Sequence, residues 1–317
     1  MIMTSPENQP NTHNTEQETE SALAIVSNNR DFKVLRRVPE QRTLEITNTG
    51  SHLFTAAIID LETLGLDPTL HPIIELGMLL FSFSSTDGIL SVVETYNGLQ
   101  DPGVPIPDEI TAITGITNDD VAGQTIDWQL VAQYLQRTDL VICHNASFDR
   151  NHLEMQAPPV IADIVKNMAF GCSLKDVDWR SRGYESGKLE FLNFKAGYFY
   201  EGHRALVDCW ATLNVLVVEE GAFDELKASV RKRGVLICAL NSSFDTKDLL
   251  KGRGYRWSDG TGTLPKAWWT TVEESCFDDE KLWLDEVVFK SKNASSALPS
   301  KVITARSRYS RRAQTFD

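Results

Sequence analysis

Asp60 and Glu62, in the run Ile58-Ile59-Asp60-Leu61-Glu62-Thr63, are two carboxylates one residue apart at the end of an apolar stretch that reads as a β-strand. Side chains alternate along a strand, so residues i and i+2 leave from the same face. Two ionised acids held that close repel each other, and a cation must offset the repulsion. A divalent metal with oxygen ligands is the usual solution. A lone Asp-x-Glu also occurs as a pair of solvated turn acids, so its meaning depends on what distant segments bring to it. Two further sites are suitable. In His144-Asn145-Ala146-Ser147-Phe148-Asp149 a strand ends at Cys143, and Asp149 falls in the first turns of a helix. In His203-Arg204-Ala205-Leu206-Val207-Asp208 a helix beginning near His203 leaves the imidazole at its mouth and Asp208 a turn and a half inward. Singly, Asp149 reads as an acid favoured by a helix dipole, Asp208 as a polar-face residue and His203 as a solvated cap. The apolar setting Val207-Asp208-Cys209-Trp210 argues against that for Asp208. Together the four carboxylates and the histidine form a candidate two-metal site.

The elements that must position these groups follow from the hydrophobic pattern. Strands are predicted from Leu53 to Asp60, Ile73 to Phe83 and Ile89 to Leu99, the last two joined by a hairpin at Ser84-Ser85-Thr86-Asp87-Gly88. The Pro-rich stretch from Asp101 to Pro107 ends this meander. Helical periodicity follows at 108–113, 126–137, 145–156, 189–196 and 203–220, with a short buried-type strand at 140–143. Three strands followed by strands alternating with helices indicate an α/β domain with a mixed sheet.

In that order, Asp-x-Glu, then Asp in a His-Asn-x-x-Phe-Asp context, then His-x-x-x-x-Asp resembles the DEDDh, or DnaQ-like, 3′–5′ exonuclease superfamily, over about Leu53 to Glu220. Ile74-Glu75-Leu76-Gly77 is similar to the family's second strand, and Ile113-Thr114-Gly115-Ile116-Thr117 to its substrate-side helix and loop. With the Leu35-Arg36-Arg37 lead-in, the chain resembles stand-alone polymerase III epsilon-like proteins. The resemblance implies a ribonuclease-H-like five-stranded mixed sheet flanked by helices. It also implies two divalent ions, Mg²⁺ or Mn²⁺, about 4 Å apart. Asp60 would bridge both ions, Glu62 and Asp208 would complete the first site, and Asp149 would hold the second. His203 would be the general base, or would orient the attacking water. Thr63, Leu64 and Gly65 would touch the terminal nucleotide, and Asn145 and Phe148 the next one, Phe148 by stacking. The structural readings of the last pair are a helix cap for Asn145 and a core residue for Phe148. The implied activity is release of nucleoside monophosphates from 3′ ends of DNA. The other readings are a 3′–5′ exoribonuclease of the ribonuclease T or oligoribonuclease type, and a non-catalytic subunit binding a nucleic-acid end, a polymerase or a helicase.

The 317 residues exceed one such domain. Residues 1–29, rich in Asn, Thr, Gln and Glu, are expected to be disordered, with a short lead-in helix between Asp31 and Arg42. The α/β domain is expected over 30–225, and a second small α+β unit over 234–290. In that unit Lys251 to Trp257 and Lys266 to Trp269 interleave basic and aromatic residues. This composition suits single-stranded nucleic acid, but a unit so small also needs large residues inside. Deletion after Gly234 is expected to spare activity on short oligonucleotides. Residues 291–317 are expected to be a basic tail: from Val287 to Phe316 there are seven basic residues and no acidic one. The net charge of −13 argues against non-specific coating of nucleic acid, not against gripping one strand end in a metal-charged site. The polar N-terminus reads as neither signal nor transit peptide. The five scattered cysteines read as reduced thiols, giving a cytoplasmic expectation.

Overall fold

The computed structural model describes residues 12–40, 52–86 and 88–316. Thr12–Ser27 forms helix α1, followed by strands β1 (Arg36–Arg37), β2 (Leu53–Thr63), β3 (Ile73–Ser84) and β4 (Gly88–Leu99). Helices α2 (Asp108–Thr114), α3 (Asn118–Val121) and α4 (Trp128–Gln136) come next, then β5 (Leu140–Cys143), α5 (Ala146–Gln156) and α6 (Pro159–Asn167). β6 (Phe170–Cys172), α7 (Leu189–Lys195), β7 (Tyr198–Phe199), α8 (Ala205–Val218) and α9 (Ala222–Arg231) complete the first unit. The C-terminal unit holds β8 (Gly234–Ala239), α10 (Lys247–Gly252), β9 (Arg256–Ser258), β10 (Ala267–Glu273), α11 (Phe277–Trp283) and β11 (Ser300–Ile303).

The main sheet has the order β4-β3-β2-β5-β6. β2, β3 and β4 pair antiparallel, and β5 and β6 run parallel to β2, which is the mixed five-stranded, ribonuclease-H-like arrangement expected. Alternation sorts the strands' apolar residues onto two faces. Ala56, Ile58, Leu79 and Phe81 pack with Cys209, Leu213 and Leu226 of α8 and α9. Ala57, Ile59, Met78 and Leu80 pack with Val131, Leu153, Ile161 and Val165 of α4, α5 and α6. β2 is therefore central, and its end is the place where both helical layers meet.

Gly77 sets how closely α8 approaches the sheet. It lies opposite Asp60 in the β2–β3 register. A Cβ built there would stand 2.3 Å from the Ala205 carbonyl carbon and 2.4 Å from the Leu206 nitrogen, both backbone atoms. The helix cannot yield without moving its first turn. Gly77→Ala is expected to cost about 1–3 kcal/mol as overpacking and to displace Asp208, read as a lower melting temperature and weaker metal affinity; an unchanged melt would contradict the close approach.

Three expectations need correction. The stretch expected to be disordered contains α1, in which the good helix formers Gln17, Glu18, Glu20, Ala22, Leu23 and Ala24 favour a helix, although residues 17–27 are almost all exposed; residues 1–11 lie outside the described residues. No lead-in helix forms in the described part of 31–42. Instead β1 pairs in parallel with β7, and the Arg37 guanidinium lies 5.0 Å from the Phe199 ring centroid. The basic segment 291–317 is not a free tail. β11 pairs with β8 in a second sheet of order β11-β8-β10-β9, and the arginines that follow strap the two units together.

The strap has a clear physical basis, because the last carbonyls of a helix have no partner within the helix. Arg306 donates to Asn167 O at the end of α6. Arg308 donates to Ser229 O (2.9 Å) and Lys232 O (2.8 Å) at the end of α9. Arg312 pairs with Glu154 at 2.9 Å, and Arg311 reaches Asp67 at 3.4 Å. Arg150 of α5, fully buried, binds the strap in return: it donates to Ala305 O (3.2 Å), Arg308 O (2.9 Å) and Arg306 O (2.6 Å), and pairs with Glu154 at 2.8 Å.

Candidate metal centre and its setting

The register that places Gly77 opposite Asp60 also places Glu75 opposite Glu62. Glu75 is fully buried, and each of its oxygens is occupied. Oε2 accepts from the Ala205 amide at 2.9 Å, and Oε1 accepts from Asn97 Nδ2 and Arg204 Nη2, each at 2.8 Å. It thus satisfies an otherwise unpartnered amide at the start of α8 and favours that helix's dipole. The sequence put Glu75 on a strand but did not show this anchoring role. An acid within an otherwise apolar, all-buried strand was the signal available.

α8 begins at Ala205, so Asp208 lies in its first turn and not a turn and a half inward. The Arg204 amide donates to Asp208 Oδ2 at 3.2 Å, and the Tyr200 hydroxyl also bonds this carboxylate. His203 precedes the helix in a left-handed conformation (φ 65°), exposed at its mouth. Oxygens of Asp60, Glu62 and Asp208 all lie within 4.8 Å of one another. Asp149 comes from the opposite helical layer, in the first turn of α5, and is 1% exposed. Its Oδ1 is buried without a hydrogen-bond partner. That unpartnered carboxyl oxygen, in a side chain whose charge bears on Asp60, fits a site for hard divalent cations.

The electrostatics agree. Burial, then the charges of Asp149, Asp208, Glu62 and Glu75, pushes Asp60 well above the carboxylate range. Burial, then Asp208, Glu75 and Asp149, pushes Glu62 up to about 8. Burial pushes Asp149 up to about 8, and Asp208 up to about 6 against the pull of the Arg204 amide and His203. Carboxyls with raised folded-state values contribute stability that is full below their unfolded values near 4 and is lost as pH rises through the folded ones. The metal-free protein should therefore melt at progressively lower temperature as pH rises from about 5 to about 9. Mg²⁺ or Mn²⁺ should reverse the trend and release protons on binding. Thermal scans in EDTA and titration calorimetry in two buffers measure both, and a flat pH profile in EDTA would contradict the crowding.

The remaining site residues are placed as follows. Thr63, Leu64 and Gly65 continue from Glu62. Thr63 Oγ1 donates to Gly65 O at 2.6 Å, and Leu64 packs beside the cluster of Ile74, Ile106, Ile116 and Val121. A Cβ on Gly65 would meet the His71 ring at 2.8 Å, so any larger residue there would have to displace that ring. Asn145 stands at the N-cap position of α5 with φ 80° and makes no side-chain cap; its Oδ1 accepts from Ser147 at 3.1 Å. Phe148 is half-buried, its ring centroid 4.4 Å from that of His152. A cavity of about 720 Å³ opens beside the carboxylates, walled by His144, Lys188, Tyr200, His203 and Asp208. None of Thr63, Leu64, Gly65, Asn145 and Phe148 lines it. His144, a further residue of this wall, bridges Ser173 Oγ (2.8 Å) and Gly187 O (2.9 Å), and burial pushes it down to about 4. It is neutral near pH 7, with Nε2–H donating to the carbonyl, and fixes the 186–188 loop.

A family profile described as Exonuclease matches residues 57–216, half of the chain. The chain belongs to the exonuclease family, as a DnaQ-like member. This exonuclease domain is 28% identical over 171 residues to a PolC-type DNA polymerase III of Thermotoga petrophila, covering 51% of the chain and 12% of that protein. It is 27% identical over 161 residues to a PolC-type DNA polymerase III of Listeria innocua, covering 50% of the chain and 11% of that protein. The chain thus spans about an eighth or less of the length of these relatives. Among solved structures, exonuclease X in complex with 5′ overhanging duplex DNA matches with a TM-score of 0.41 at 22% identity, over 55% of this chain and 98% of that one. E. coli exonuclease I in complex with a dT13 oligonucleotide matches with a TM-score of 0.44 at 16% identity, over 69% of this chain and 63% of that one. Among the described residues no helix is long and apolar enough to cross a membrane, and all five cysteines are free thiols.

Proposed function

We propose that the exonuclease domain is a metal-dependent 3′–5′ exonuclease that removes nucleoside 5′-monophosphates from DNA, in proofreading, repair or end trimming in the cytoplasm. The observation that carries this reading is the convergence of Asp60, Glu62 and Asp208 on one point, with the unpartnered Asp149 oxygen beside them. Asp60, Glu62 and Asp208 would hold one ion, and Asp60 with Asp149 the other. Two divalent ions at such a site supply Lewis acidity toward the attacking and leaving oxygens of the phosphodiester. His203, exposed at the mouth of α8, would accept the proton of the attacking water or orient that water. Thr63, Leu64 and Gly65 would bear on the terminal nucleotide, and Asn145 and Phe148 on its neighbour.

The likeness to polymerase-associated relatives supports DNA over RNA, and a polymerase or repair complex as the partner. The test is digestion of 5′-labelled single-stranded DNA, duplex DNA with a mismatched 3′ end, and RNA, each with Mg²⁺, Mn²⁺ or EDTA. Ladders that shorten from the 3′ end of DNA and vanish in EDTA are expected. A ladder on RNA alone would replace this reading with an exoribonuclease, and activity surviving in EDTA would reject the metal site.

A further inference from the structure

A second cavity, of about 440 Å³, lies between α5 of the exonuclease domain and one face of the C-terminal sheet. Ser147 and Asn151 of α5 form one wall, Trp269 and Thr271 of β10 the other, and Tyr309 of the strap lies between them. Lys175, Arg256, Arg308 and Arg311 line it, and no Asp or Glu does. In a chain of net charge −13, this is a local reversal of sign.

These cations are not equally committed. Arg308 is spent on carbonyls of α9 and on Asp176. Lys175, exposed, holds only the Ser147 hydroxyl at 3.1 Å and lies 5.7 Å from the Tyr309 ring centroid. Arg256, exposed, lies over the Trp269 ring with its guanidinium carbon 4.6 Å from the centroid, and it has no ion pair among the described residues. Arg311 has a single 3.4 Å ion pair, half in solvent. The groove therefore offers available cationic donors alongside aromatic surfaces.

Its position matters as much as its charge. Ser147 is the residue before Phe148 and two before Asp149. Leu174 walls the first cavity and Lys175 the second, so consecutive residues separate the two. A strand with its 3′ end at the carboxylates that ran past Phe148 along α5 would meet this groove, since Ser147, the neighbour of Phe148, lines it.

We propose that the groove between α5 and the C-terminal sheet binds the single-stranded nucleic acid that trails the reacting 3′ end, with Lys175, Arg256 and Arg311 on its phosphates and Trp269 and Tyr309 as flat surfaces for its bases. The proposal rests on the exonuclease reading for its direction, but binding is measured separately from hydrolysis. A polyanion fits because cations neutralising phosphates release counterions, and aromatic platforms accept any base.

The test uses the full chain and a 5′-fluorescent oligothymidylate of about 12 nucleotides, within the span of one single-strand site. Binding is followed by anisotropy in EDTA across a salt series. The double variant Lys175→Ala/Arg256→Ala should weaken binding about tenfold and lower the slope of log K against log salt by about 1.4, about 0.7 for each phosphate no longer neutralised. Lys175→Glu/Arg256→Glu should weaken it further, and with metal restored the preference for long over very short strands should fall in parallel. Both side chains are exposed, and an unchanged melt confirms the fold. Unchanged affinity and salt slope in both variants would overturn the proposal, and so would polyglutamate competing as well as the oligothymidylate. Failure of the wild type to digest any nucleic acid would instead reject the exonuclease reading.

Discussion

Replacing Asp60 with Asn should lower hydrolysis at least ~10³-fold, a loss of about 4 kcal/mol of transition-state stabilisation if the carboxylates hold the proposed metal, and yet raise the melting temperature of the metal-free protein. The two effects have one cause. Asp60 is the carboxylate most crowded by others, with burial and four neighbouring acids all pushing its proton affinity upward. Above the unfolded value near 4, the folded state must either retain a proton or hold an unfavourable charge. Asn keeps the shape and removes the charge. The gain should be of order 1–2 kcal/mol at pH 8, or roughly 2–6 °C. Excess Mg²⁺ should stabilise the wild type and not the variant. Scanning calorimetry with and without metal, beside the nuclease assay, separates the outcomes: a purely structural Asp60 would lower activity and stability together.

Truncation after Pro299 should leave the exonuclease domain unfolded or aggregated rather than freely active. This reverses the sequence-based expectation that the domain survives deletion after Gly234. Such a truncation would strip Arg150 of three carbonyl partners, leaving it Glu154 and Lys166 O, and would uncover a guanidinium that lies over the Phe170 ring, 4.3 Å from the centroid. Glu154 would lose Ser310 and Arg312. Burial alone would raise Glu154, yet bonds from Arg312 and Ser310 of the strap and from Arg150 hold it down to about 2. Breaking a buried ion network from one side costs about 3–5 kcal/mol, a large share of the 5–15 kcal/mol typical of a folded domain. Soluble yield and amide hydrogen exchange at α5 report the loss. Arg150→Met/Glu154→Leu in the truncated chain should recover part of the yield, because it removes both members of the α5 ion pair that the strap had completed. A truncated chain that melts like the full one would refute the strap.

The sheet and the metal centre were legible for different reasons. β2, β3 and β4 are long and apolar enough to show their period, and the acids stand at fixed offsets from strand and helix ends. Asp60, Glu62, Asp149 and Asp208 could therefore be chosen before any tertiary neighbour was known. The helix α6 opens on Pro159, and β6 has three residues with a central glycine, too short to show any period. Glu75 needed the cross-strand register to reveal its amide partner on α8. The arginines of the strap read as solvated because their partners, Asn167 O, Lys232 O and Glu154, lie 139, 76 and 158 residues earlier in sequence. Composition cannot show such distant carbonyls.

That separation has a consequence for the timing of synthesis. Arg150 and the carbonyl of Ala305 are 155 residues apart. At about 5–20 residues per second, the ribosome needs roughly 8–30 s to supply the second after the first. Once Asp208 has been made, the nascent exonuclease domain has all its carboxylates, yet for about 5–20 s more it lacks the segment that seats the helix carrying Asp149. A chain stalled at residue 299 should accordingly be cut by protease within α5, where a chain extended past residue 314 and clear of the exit tunnel resists. The nuclease would thus be assembled from its far end, and acquire its activity only as translation of this segment finishes.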